Sequence, residues 1–172
     1  MPILCLHYKN FNTNAINGPD SEYASQRLKM SAGSLPIQKL VLCGYTVNIR
    51  KHDTLAAGKE HQIPDHIVVE IDQIATSQVN IASPPKSHLS EDYTHTHGIP
   101  LPVSDSLNTI NFGCAPLEFD VNKKLNRVIK INIKYYNNDN DLVPMTTTTT
   151  DQGQVAIEHL LLYFQYDFSG NF

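Results

Sequence analysis

Apolar residues along this chain recur at every second position, and no stretch longer than about ten residues repeats them at the spacing of a helix face. A period of two sets one side of an extended strand on a core and the other on solvent, so the chain reads as all-β. The clearest run is Arg127 to Tyr136, where Ile129, Ile131, Ile133 and Tyr135 alternate with Lys130, Asn132 and Lys134; Val155 to Phe168 closes the chain. In Lys39 to Ile49, Leu40 and Leu42 share one parity, and Tyr45, Val47 and Ile49 the other. A β-bulge at Cys43-Gly44, with glycine as the extra residue, keeps one face buried throughout.

Shorter strands are read at Ile3 to Tyr8, His66 to Ile74, Val79 to Ala82, Leu107 to Phe112 and Pro116 to Val121. Ile99-Pro100-Leu101-Pro102-Val103 alternates proline with apolar residues, which removes every second backbone donor and confines the segment to a sheet edge. This many strands in 172 residues fill two packed sheets, and the links after Arg50, Ile81 and Tyr136 are too long for a meander of hairpins. The fold expected for residues 35–172 is a two-sheet antiparallel sandwich wound as a single jelly roll. Polar residues from Lys9 to Leu35 separate the first strand from this body. Residues 1–34 are therefore read as an extended N-terminal arm, with a short helix over Ser21 to Met30 as the alternative. The run Thr146 to Thr150 reads as a solvent-exposed or partner-contacting tip.

With 41% hydrophobic residues the chain has a core's worth of side chains and folds without a disulfide framework or structural metal. Cys5, Cys43 and Cys114 are too scattered for either and read as reduced, packed thiols. A net charge of -4 leaves no basic field for nucleic acid, since the densest cationic cluster, Lys123, Lys124 and Arg127, is short and sits beside Asp120. The longest apolar block, Leu160 to Phe164, is one strand's worth, which excludes a membrane-spanning helix. The N-terminus lacks the pattern of a secretory signal, so a cytosolic product is expected. Only 17% of residues are charged, against about 25% on average, a surface suited to packed neighbours.

One segment has the spacing of a site. In Tyr93-Thr94-His95-Thr96-His97-Gly98 the two imidazoles, at i and i+2 of a strand, share a face and are candidates to bind one metal, as in cupins. His159 is the candidate third ligand, but Glu158 beside it points the other way in a regular strand, and the cupin glutamate after the second histidine is missing. The same Tyr93, His95 and His97 are the candidates for a glycan-binding face. His52, His61 and His66 read as a solvated link, and Glu118 with Asp120 as a wet outer face. No nucleophile elbow, phosphate loop or zinc-helix motif occurs, so no catalytic residue and no cofactor are assigned.

Pro116-Leu117-Glu118-Phe119-Asp120-Val121 with Leu125-Asn126-Arg127, the strand to Tyr136, the Asn137 to Val143 turn and the closing Ile157 to Asp167 strand resemble the C-terminal half of single-jelly-roll capsid proteins. These are the vertex (penton) and minor capsid proteins of double-stranded DNA viruses of the adenovirus, virophage and polinton type. Leu40 to Ile49 resembles their opening strand. The resemblance implies a non-enzymatic virion subunit, made in the host cytoplasm, whose partners are itself, as a homo-pentamer, and a major capsid protein. It also implies outer loops that meet a receptor or glycan. The chain is close to the minimum for one jelly roll, which makes a small cement protein a variant of the same reading. Assembly is expected through Ile3, Leu4, Leu6 and Tyr8 of the arm, added as a strand to a neighbour's edge, and through Ile99, Leu101 and Val103 of the proline-alternated edge.

Overall fold

The computed structural model describes residues 2–10, 24–30, 37–51, 55, 57–58, 60–74, 80–82, 95–103, 108–111, 117–121, 125, 127–139, 141–147 and 153–168. Among these residues the elements are all strands: β1 Ile3–Lys9, β2 Ser25–Lys29, β3 Ile37–Lys51, β4 His66–Ile71, β5 Asn80–Ala82, β6 His95–His97, β7 Ile99–Pro102, β8 Asn108–Asn111, β9 Leu117–Asp120, β10 Val128–Tyr136, β11 Leu142–Pro144 and β12 Val155–Phe168. They form two antiparallel five-stranded sheets packed as a sandwich, beside the small β5–β6 ribbon.

The first sheet runs β1-β12-β3, with β8 and β9 end to end along the far side of β3. The second runs β10-β4-β7, with β2 and β11 end to end along the free side of β10. At their junction Ala24 donates to the Met145 carbonyl at 2.7 Å, and Ile133 bonds both: its N–H to Ala24 and its carbonyl to Met145. Inward residues of the first sheet, among them Leu40, Leu42, Tyr45, Val47, Leu160, Leu162 and Phe164, meet Ile67, Val69, Leu101, Ile129, Ile131 and Ile133 of the second. Removing each such side chain from water contributes about 1.5–3 kcal/mol, so the alternation itself specifies which face of each sheet turns inward. Phe119 and Phe164 meet edge to face at 6.4 Å.

The parity flip in β3 is a bulge. Tyr163 pairs with Gly44 and Phe164 with Leu42, so Cys43, rather than the glycine, is the unpaired extra residue. A second bulge was not expected: Ile157 pairs with Ile49 and His159 with Asn48, which leaves Glu158 as the extra residue of β12.

The N-terminal segment departs from the arm reading over its described parts. β1 pairs along its whole length with β12, and Leu6 and Tyr8 are core residues at 2% exposure. β2 pairs with β10 and is a strand, not the alternative helix. The physical reason is that Leu4, Leu6 and Tyr8 carry the same alternation as the body, and β12 offers them an otherwise open edge. The turn signal at Asn17 to Pro19 lies outside the described residues.

Candidate functional site

The backbone of β1 decides what its edge offers. Tyr166 donates to the Pro2 carbonyl and Asn10 to the Glu158 carbonyl, so even-numbered residues bond inward to β12. Odd-numbered residues, Ile3, Cys5, His7 and Lys9, turn their N–H and C=O groups away from the sheet. At Lys9 these groups meet the Gln26 side chain: the Lys9 N–H donates to Oε1 at 3.1 Å, and Nε2 donates to the Lys9 carbonyl at 3.3 Å. One amide of β2 thus occupies the position a paired strand would take. No described residue does the same at Ile3, Cys5 or His7, all exposed, with Ile3 at 67%.

The opposite outer edge is built differently. Val103 donates to Asp65 at 2.9 Å, which sets the odd residues of β7 inward toward β4 and leaves Pro100 and Pro102 at the outward positions, where no N–H exists. The Pro102 carbonyl accepts from the Tyr45 hydroxyl at 2.8 Å, across the sandwich. Edge placement of this segment agrees with the sequence. Its expected assembly residues turn their side chains into the chain's own core: Ile99 and Leu101 are fully buried and Val103 nearly so. Of the expected residues on β1, Leu6 and Tyr8 are likewise committed to the core, Leu4 is half-buried against it, and Ile3 alone projects outward.

His159 finds a partner that sequence spacing does not indicate. On the outer face of the first sheet, His7 Nε2 and His159 Nδ1 lie 3.2 Å apart, with the rings stacked at 24° and 5.4 Å between centroids. Partial burial, His159 and Lys9 all hold the His7 pKa below its ordinary value. The bulge puts Glu158 on this same face, contrary to the expectation for a regular strand. Its carboxylate accepts from Asn48 at 3.3 Å and pairs with Arg50 at 3.1 Å. His95 and His97 stand on β6, paired with Ala82 and Asn80; their side chains, and all of Tyr93, lie outside the described residues. No cluster of three metal-ligating side chains occurs among the described residues.

Other expectations resolve unevenly. Glu118 is exposed and pairs with Lys39, as a wet face requires. Cys5 is exposed rather than packed, and partial burial pushes its thiol pKa up. The threonine run is not wholly a tip, because Thr147 is buried and its carbonyl accepts from buried Asn10 at 2.7 Å. At the end of the sandwich, the turn after β10, residues 61–64 and Gln154 bound a cleft of about 390 Å³ with Tyr135 and Tyr136 in its wall. The turn is held by the Asn137 carboxamide oxygen, which accepts from the Asp139 and Asp141 N–H groups.

Comparison with known proteins found no match among family models, curated proteins or solved structures.

Proposed function

We propose that this chain is a structural subunit of a virion coat, a single jelly roll that assembles with copies of itself and with other coat subunits and performs no catalysis. The observation that supports the reading is the wrapping of its longest strands. β3 passes from the first sheet to β4 in the second, β10 in the second sheet leads back to β12 in the first, and the pairs β3–β12 and β4–β10 are both antiparallel. A two-stranded ribbon folded across both sheets in this way is the core of a jelly roll. The bond from Tyr45 to Pro102 and the bond from Gln26 to Lys9 hold the two sheets together near their margins, which suits a subunit loaded from its sides. A cyclic vertex assembly repeats one heterologous contact around its axis. Native mass spectrometry of the full-length protein tests this: a closed ring of five is the expected species, and a monomer at every concentration overturns the ring.

A second reading, a glycan-binding module, is favoured by the cleft, where the Tyr135 and Tyr136 rings adjoin Asn138, Asp139 and Gln154. Aromatic faces beside amides and one carboxylate suit a neutral polyhydroxylated ligand. Titration with neutral oligosaccharides, monitored by NMR, is expected to shift Gln154 and Asn138 on this reading; unmoved resonances at millimolar ligand refute it.

A further inference from the structure

We propose that the open edge of β1 is a self-pairing surface, on which a second copy of this chain lays its own β1 antiparallel about a two-fold axis through Cys5. The inference goes beyond the coat reading and does not depend on it. It rests on a contrast between two edges of one molecule. At β7 both outward donor positions are proline, and the Pro102 carbonyl is taken by Tyr45. At β1 the outward N–H and C=O groups of Ile3, Cys5 and His7 meet no described residue, while at Lys9 an amide from β2 marks where the free stretch ends. An edge left unprotected by proline, inward charge or cover is a template for another strand.

The stretch is matched to itself. Pairing about Cys5 sets Ile3 against the second copy's His7 and Cys5 against its counterpart, so that every outward group finds a partner. Each of these three pairs exchanges two backbone bonds, as hydrogen-bonded antiparallel pairs do. Ile3 to His7 contains no lysine, arginine, aspartate or glutamate, so two copies approach at neutral pH without like charges opposed. Gln26 stops the pairing at Lys9 in both copies, which fixes the register. Ile3, 67% exposed when the chain is alone, is covered by the second copy's His7.

Sedimentation equilibrium on the full-length protein, with thiols kept reduced, provides the test. Wild-type protein is expected to show a concentration-dependent two-fold association. Cys5→Pro removes an outward N–H that β12 does not use, so it is expected to keep the far-ultraviolet circular dichroism and lose the pairing. Cys5→Lys and Cys5→Glu each oppose like charges at the axis and are expected to weaken association several-fold, while an equimolar mixture of the two regains it as a heterodimer. Wild-type-like pairing in Cys5→Pro, or a mixture no tighter than either variant alone, overturns the proposal. The ring of the coat reading fails separately: rings that persist in Cys5→Pro without joining in pairs retain it, and two-fold pairs without rings overturn it.

Discussion

Gly98 lies against the second sheet's outer face, and adding one methyl group there tests the packing directly. A Cβ on Gly98 falls 2.5 Å from Val68 Cγ1 and 3.4 Å from the Val69 carbonyl. Val68 is fully buried although it points away from the core, and it lies mid-sheet, paired with Lys134 of β10 on one side and flanked by Pro100 of β7 on the other. Its β-branched side chain has little rotamer freedom with which to yield. Overpacking of this kind costs about 1–3 kcal/mol, and the stiffer unfolded chain of an alanine variant returns about 0.4–1 kcal/mol. Gly98→Ala is therefore expected to lose a net 1–2 kcal/mol or so, read as a lower urea midpoint at unchanged slope. In a Val68→Ala background the obstructing Cγ1 is gone, and the same substitution is expected to cost under about 0.5 kcal/mol, the mark of a coupled pair. An equal loss in both backgrounds, or no loss in either, refutes the contact as the reason for glycine.

Acid sensitivity is expected at His7. The folded His7 pKa is lowered, so below about pH 6.5 the unfolded chain takes up a proton first and stability falls as pH drops. His7→Gln should flatten the dependence of urea midpoint on pH between 5 and 7, and an unchanged slope refutes this. At the alkaline end, burial pushes Tyr8 and Tyr45 up to about 12, so stability is full below pH 10 and declines as the unfolded tyrosines ionise first. Tyr45→Phe is expected to cost about 1 kcal/mol at neutral pH through its lost bond to Pro102 and to make that decline shallower, both measured by denaturant titration. Asn10→Ala removes a buried donor to the Thr147 carbonyl; a loss of about 1–2 kcal/mol is expected, with faster hydrogen exchange at the start of the threonine run.

Most strands could be read from the sequence because each exposes one face or is buried on one, and Val155–Phe168 is recovered residue for residue. The bulge at Cys43 was legible for the same reason: parity changed on both sides of a glycine. Its counterpart at Glu158 was not, since Ala156 and Ile157 are both apolar and both buried and so hide the change of phase. Pairing is harder to read than strand location. Leu6 and Tyr8 announce a buried face, but nothing local says that its partner strand begins at Val155, and a strand without a visible partner reads as an arm. The meeting of His7 with His159 follows from that pairing and was invisible without it. Gln26 over Lys9 depends in turn on two strands of different sheets coming together at one corner.

Of the three register shifts in the central pair, the two at Glu158 and Cys43 offset each other. Val155 pairs with Lys51 and Asp167 with Lys39 in one register, and between them the stretch from Glu158 to Cys43 is displaced by a residue; a third shift, at Phe168 and Ile37, lies beyond this span at the strand end. Within this span each strand is thus one residue longer than its pairing needs. Loss of Cys43 or Glu158 from the chain would leave every other partnership and every inward side chain where it is. An excision at Thr46 or Leu161, taken up by drawing the neighbouring bulge into the ladder, would invert only the two residues between them, Gly44 and Tyr45 or His159 and Leu160, and leave the rest of the face in place. The longest pairing in the fold, the one least able to tolerate an inverted face, therefore carries its own slack, and changes of length by single residues are expected to be survivable here where a bulge-free ladder would turn inside out.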